Sequence, residues 1–302
     1  MTDRLSADNP DIILFPELSL SGYGCEDAFL WPVTLQKAEA TFLKFIRATS
    51  GLDSIILVGL PVRHQDRLYN CMALCNRGTI HCLIAKTHLA GDGIHYEPRQ
   101  FSGWTGGFLP IHYAGQDTQF GQGLLELNGF TLMVEICEDS WVVGRPAAKW
   151  AGRIDLLLSP AASHYEPAKA AIRRRIARDS SRTLGTAFAM VNLLGNEAGK
   201  AIYDGHALYA EHGELLLESD RFSFRSYQIH PVEVDLTAVR QEKLRNHSRK
   251  NGREESPPSL QLDLRPHGRS PAYRSGSIAM LSPYIEFTRA AALGLFDYLR
   301  KT

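Results

Sequence analysis

Three residues capable of covalent chemistry each stand at the end of an apolar run. Glu17 follows DIILF and one proline, Lys86 follows TIHCLIA, and Cys137 ends TLMVEIC. Sites in open α/β sheets collect at strand ends, and a carboxylate, an amine and a thiol gathered there make a complete kit for covalent acyl transfer. The thiolate is the nucleophile. A cysteine with an unperturbed pKa near ~8.5 is mostly protonated at neutral pH, so it needs a base or a cation beside it. Glu17 can be that base. Lys86 can lower the thiol pKa and donate to the oxyanion as the carbonyl turns tetrahedral, alongside the backbone N–H of Glu138. Taken singly, each residue also has an ordinary account. A cysteine in an apolar strand is commonly a small buried hydrophobe, which is the reading for Cys71, Cys75 and Cys82, and a strand-end Glu or Lys commonly reaches solvent.

The elements that must position these groups alternate along the chain. Asp11 to Phe15 predicts a buried strand, residues 16 to 27 a loop, Gln36 to Arg47 a helix, and Ser54 to Leu60 a second buried strand, a βαβ pattern. Leu68 to Leu74 and Thr79 to Ala85 flank Asn76-Arg77-Gly78 and predict a hairpin ending at Lys86. Residues 87 to 121, with little periodicity, predict one long loop, a place where function often sits. Further strands are expected at Phe130 to Cys137, Ile154 to Ser159 and Ala187 to Leu194, with a second hairpin turning at His212-Gly213. The helix expected over Pro167 to Leu184 carries Lys169 and five arginines, read together as a solvated face. Strands interleaved with helices and hairpins imply a layered α/β fold.

Composition narrows the function classes. Lys plus Arg and Asp plus Glu both number 33, and a chain without net charge lacks the uncompensated basic surface that nucleic-acid or anionic-membrane binding rests on. No run approaches a membrane-spanning length, and MTDRLSADNP is no signal peptide. Five cysteines without framework spacing imply a reducing, cytoplasmic setting. The eleven histidines form no HxH or HExxH pattern, so no metal is expected.

FPELSLSGYG at 15 to 24, KTHL followed by YEPRQF, and EICEDSW at 135 to 141 are the points where the chain resembles the nitrilase, or carbon–nitrogen hydrolase, superfamily, whose sites use Glu, Lys and Cys in that order. It is similar in particular to the glutamine amidotransferase domains of glutamine-dependent NAD synthetases, through SGYGCEDAF, CEDSW, SPAASHYEPAK at 159 to 169 and YDGHALYAEHGELL at 203 to 216. The resemblance implies an αββα sandwich that doubles to αββα-αββα across a homo-oligomer interface. It makes Cys137 the nucleophile, Glu17 the general base, Lys86 the cation that stabilises the intermediate, and Glu97 a second glutamate that orients the lysine or relays protons. Ser163 and Lys169 become substrate-binding residues, the latter for the glutamine carboxylate, with Tyr23, Glu138 and Trp141 lining the pocket.

Two departures accompany the resemblance. The family has an extra strand and helix before the segment leading into FPE, so the sheet is expected to lack that first strand. No Gly-rich ATP-pyrophosphatase loop occurs, so ATP and magnesium are expected only in a synthetase domain outside this chain, and none is needed for the glutaminase reaction. Residues 1–240 are then a glutaminase domain, 241–282 a polar linker or loop packed on it, and 283–302 a helix resembling the start of the absent synthetase domain. The expected function is hydrolysis of L-glutamine to supply ammonia for NAD synthesis, with a separate synthetase or a further domain as partner. The alternatives are a general ω-amidase or nitrilase acting on another small amide, and a catalytically weak assembly subunit.

Overall fold

The computed structural model describes residues 10–245, 258–266 and 281–301. Strand β1 (Ile12–Leu14) runs parallel to β2 (Ile55–His64), and helix α1 (Pro32–Ala48) crosses between them. Pro32 opens α1 with its φ preset for a helix, and Ala38, Phe42 and Ile46 form the buried stripe. β3 (Arg67–Asn76) and β4 (Thr79–Ala85) follow as antiparallel neighbours. Their turn uses left-handed Arg77 and Gly78, φ 48° and 84°, whose twist matches that of the paired strands.

The stretch 87–121 corrects the expectation of a single long loop. It contains β5 (Leu109–Tyr113) and β6 (Gln116–Gly121), a hairpin that extends the first sheet to the order β1-β2-β3-β4-β6-β5. β5 is an edge strand with only one buried face. Its period-two signal rests on Leu109, Ile111 and Tyr113 alone, and an edge strand tolerates Pro110.

The second sheet comprises β7 (Leu124–Leu127), β8 (Phe130–Val134), β9 (Leu156–Ala161), β10 (Ala187–Asn192), β13 (Ala207–Glu211), β14 (Glu214–Glu218) and β15 (Ser259–Leu262). Its order is β14-β13-β10-β9-β8-β7-β15, with β8, β9 and β10 mutually parallel. β15 lies within the stretch expected as a polar linker or loop and pairs with β7. Helix α2 (Lys169–Leu184) links β9 to β10, and β11 (Leu194–Glu197) with β12 (Ala201–Asp204) forms a separate hairpin. Helix α3 (Leu236–Arg245) bridges the expected domain boundary, and α4 (Pro283–Lys301) docks on the β11–β12 hairpin through Ala290 and Leu293.

Side-chain alternation sorts the strands into layers. Ile55, Leu57, Met72, Leu74 and Ile84 of the first sheet meet Leu125, Leu132, Val134, Leu156 and Leu158 of the second in the central core. The opposite faces pack under helices: Val58, Leu60 and Ala73 under Phe42 and Ile46 of α1, and Leu157, Phe188 and Leu208 under Ala177 and Leu184 of α2. This is the αββα sandwich that the resemblance implies. Among the described residues, no helix is long and apolar enough to cross a membrane.

Candidate active site

Glu17 leaves β1 on a segment that lies flat against β2. A glycine at 59 makes this possible, because a Cβ there would stand 2.2 Å from Leu18 N and 2.7 Å from Pro16 O. Phe15 N–H donates to Leu57 O at 2.9 Å and Leu20 N–H to Gly59 O at 3.0 Å, so the segment is stitched down on both sides of the glutamate. Lys86 follows β4. Its N–H donates to Asn70 O, and its carbonyl accepts from Trp104 N–H, both at 2.9 Å.

Four side chains from these elements converge in full burial. Lys86 Nζ donates to Glu17 Oε1 at 2.6 Å and to Glu97 Oε1 at 2.8 Å. Asn70 Nδ2 donates to the same two oxygens, at 2.7 and 3.3 Å. The second oxygen of each carboxylate accepts a backbone N–H at 2.8 Å, that of Ala162 for Glu17 and that of Ala90 for Glu97. Two of the three Lys86 ammonium hydrogens are thereby engaged, leaving one for an incoming oxygen.

Cys137 sits on the turn that follows β8, with a left-handed φ of 47°. Such a conformation is strained in a non-glycine residue and persists only where the surroundings impose it. Asp139 imposes it here: its carboxylate accepts Ile136 N–H at 3.0 Å and His88 N–H at 2.7 Å, tying the cysteine turn to the loop after Lys86. The Ala162 N–H that holds Glu17 also favours the Cys137 thiolate, so base and sulfur feel the same backbone dipole.

Electrostatics refine the expected division of labour. Burial raises the Glu17 carboxyl to about 7 despite the neighbouring Lys86 ammonium. Burial disfavours that ammonium in turn, but Glu17 and Glu97 outweigh it and hold the Lys86 pKa well above its ordinary value. The Cys137 thiol is pushed well up, by burial first and by the Glu17 charge second. Lys86 pulls the thiol pKa down, as expected, but burial and the Glu17 charge outweigh that pull. The resting sulfur is a protonated thiol beside a carboxylate poised near neutrality, an arrangement suited to proton transfer during attack rather than before it.

The remaining expected residues fall around this centre. Tyr23 is packed edge-on against His95 and Tyr203, and burial first, then the Glu97 and Glu17 charges, raises the pKa of its hydroxyl. Glu138 is half-buried and feels both Lys86 and Lys169, with its pKa raised by burial. Lys169 Nζ lies over the Trp141 ring, 5.8 Å from its centroid. Ser163 is buried, but its Oγ accepts from Arg173 Nη1 at 3.2 Å, which turns it toward a buried cluster of Arg173, Asp204 and Asn192. Arg173 is 1% exposed, a correction to the solvated face expected for the α2 charges.

Sequence reasoning missed Asn70, Asp139, His95 and His164. The signal for Asn70 was present: a lone amide inside the apolar run LYNCMAL has to be satisfied in the interior. For the histidines it was a repetition, since HYEP occurs at 95–98 and again at 164–167, and the two imidazoles meet at 2.7 Å. Among the described residues, no group of three or more His, Cys, Asp or Glu side chains could hold a metal ion.

Comparison with known proteins places this geometry in context. The carbon–nitrogen hydrolase family profile matches residues 5–243. A glutamine-dependent NAD(+) synthetase of Mycobacterium bovis is 33% identical over 244 residues, 79% of this chain and 36% of that protein. The solved structure of a glutamine-dependent NAD(+) synthetase from Cytophaga hutchinsonii superposes with a TM-score of 0.67 at 33% identity, covering 74% of this chain and 37% of that one. An amidase from Nesterenkonia sp. superposes with a TM-score of 0.56 at 17% identity, a likeness of fold. The chain thus spans about a third of the length of the curated relatives it matches.

Proposed function

The chain belongs to the carbon–nitrogen hydrolase family, and on that premise we propose that it hydrolyses the side-chain amide of L-glutamine to glutamate and ammonia. The observation that carries the reading is the convergence of Glu17, Lys86 and Glu97 within 2.6–2.8 Å contacts, beside a cysteine that feels the charges of both Glu17 and Lys86. In the proposed sequence, Cys137 sulfur attacks the amide carbon while Glu17 takes the thiol proton. The carbonyl π pair moves onto oxygen, where the free Lys86 N–H and the Glu138 backbone N–H receive it. Collapse breaks the C–N bond as Glu17 passes its proton to nitrogen, and ammonia leaves a thioester. Water then adds, losing a proton to Glu17; the C–S bond breaks and the sulfur recovers that proton.

The substrate's amino-acid head is assigned to the rim. Lys169 takes the α-carboxylate and Glu138 the α-ammonium, with Tyr23, Trp141 and Ser163 shaping the cavity. No cofactor enters these steps. The ammonia serves amidation of deamido-NAD by a synthetase, in which the ATP and magnesium chemistry resides; the names of the relatives support that destination.

Ammonia release from L-glutamine, followed with Cys137→Ala and with a panel of small amides, tests the proposal. Without the attacking sulfur no thioester can form, so turnover should vanish in the variant, and in the parent it should be highest on glutamine. Retained turnover in Cys137→Ala defeats it, and a preferred amide other than glutamine replaces it with a general amidase.

A further inference from the structure

Lys169, the first residue of α2, is held in an unusual way for a buried-side cation. Its Nζ lies 3.3 Å from Nδ1 and 3.5 Å from Nε2 of His164. A donor in the plane of an imidazole can approach one ring nitrogen; near-equal distances to both, in plane, would drive it into Cε1 between them. The ammonium therefore rests over the face of His164. Trp141 lies on it as well, with its centroid 5.8 Å away. The carboxylate it pairs with, Glu166, is remote at 3.9 Å and mostly exposed.

The in-plane position at His164 Nδ1 is taken by His95 Nε2 at 2.7 Å, and His95 is itself packed edge-on against Tyr23, with centroids 5.1 Å apart at 90°. A nitrogen–nitrogen hydrogen bond of this length requires one ring to accept, hence to be neutral. Burial holds both imidazoles neutral, pushed down to about 4, with the Lys169 charge adding to the effect and Glu97 and Glu166 opposing it on His95 and His164 respectively. A neutral π face attracts an ammonium without cancelling its charge, as a carboxylate would.

We propose that His164, locked in place by His95, is a positioning residue that presents the Lys169 ammonium to the carboxylate of the substrate, and that this imidazole pair selects amides bearing an anionic head group. The proposal rests on the assignment of Lys169 to the substrate carboxylate and extends it to two residues on different loops, one after β4 and one after β9. The pair spans the site, so the group that recognises the substrate head is braced from the same loop that carries Glu97.

Two chloroketones provide the test: one built on the glutamine skeleton and one of the same length lacking the amino-acid head, both alkylating Cys137 with loss of chloride. The ratio of their alkylation rates reads head-group recognition, separately from thiol reactivity. In His164→Ala the ratio should fall about 3- to 30-fold, the span of a desolvated cation–π contact, and KM for glutamine should rise by a similar factor with a smaller change in kcat. His164→Phe, which keeps a π face, should retain most of the ratio, and His95→Ala should lie between. An unchanged ratio in His164→Ala, or equal losses in His164→Phe and His164→Ala, overturns the proposal. A parent protein that releases no ammonia from glutamine, yet whose ratio responds to His164 as described, retires the proposed function and leaves the positioning role standing.

Discussion

Gly59→Ala tests whether the placement of Glu17 depends on an intimate backbone approach. The added Cβ would lie 2.2 Å from Leu18 N, and ordinary contact begins at 3.4 Å, so the segment must retreat by about 1.2 Å. Both near neighbours, Leu18 N and Pro16 O, are backbone atoms, so no flexible side chain can absorb the shift. Glu17 rides on that segment and meets Lys86 at 2.6 Å and Ala162 N–H at 2.8 Å. A displacement of this order lengthens both contacts beyond hydrogen-bonding range. Misplacement of a catalytic group by about 1 Å costs on the order of 10²-fold in rate, while overpacking costs roughly 1–3 kcal/mol of stability. The expected result is a folded protein, by circular dichroism and a cooperative melt, with kcat for ammonia release down about a hundredfold. Gly51→Ala is the control, since a Cβ there meets nothing within 4 Å. Parental kcat in Gly59→Ala would show that Glu17 does not need the observed seat, and the acid–base assignment would fall with it.

Four further outcomes follow from other parts of the site. With its carboxyl raised to about 7, Glu17 is increasingly protonated as pH falls below neutrality, so kcat/KM for glutamine should rise through about pH 7. Asn70→Leu removes a hydrogen bond that favours the Glu17 carboxylate, so the same limb should move to higher pH; a limb that stays put would separate it from Glu17. Asp139→Asn offers one acceptor oxygen where the cysteine turn and the loop after Lys86 use two, and should slow thioester formation, measured as the pre-steady-state burst, more than it lowers the melting temperature. Arg173→Met leaves Asp204 with weaker compensation and should cost about 3–5 kcal/mol in a urea titration. Although burial opposes its charge, Asp204 is held down to about 2 by Arg173, His206, Asn192 and Arg221; its stabilisation is complete above its ordinary 3.8 and is lost as pH falls toward 2. That acid limb should shrink in Arg173→Met.

The reactive groups were legible because strands buried on both faces read as unbroken apolar runs, so a Glu, Lys or Cys at their ends stands out against its neighbours. The same logic hid what lies inside or beside such runs. Asn70 reads as a blemish in a strand until the two carboxylates it bridges are brought to it by segments far away in sequence. Arg173 looks like its exposed neighbours Arg175 and Arg178, since helical phase alone does not reveal that Asp204 waits beneath it. β5 and β6 escaped notice because a strand with one buried face needs few apolar residues. The net thiol pKa was not legible for a further reason: residue types name the charges that can act on a sulfur but not the desolvation that outweighs them.

The two halves of the site belong to different layers of the sandwich. The glutamate and the lysine issue from the sheet that ends in β1 and β5, the sulfur and the Ala162 amide from the sheet centred on β9, and the apolar seam between those sheets, with the Ala162–Glu17 and His88–Asp139 hydrogen bonds, brings them together. Neither layer is half an enzyme on its own. The geometry of the site thus exists only where the layers have closed in register. A single turnover assay therefore doubles as a gauge of whether the whole interior has set.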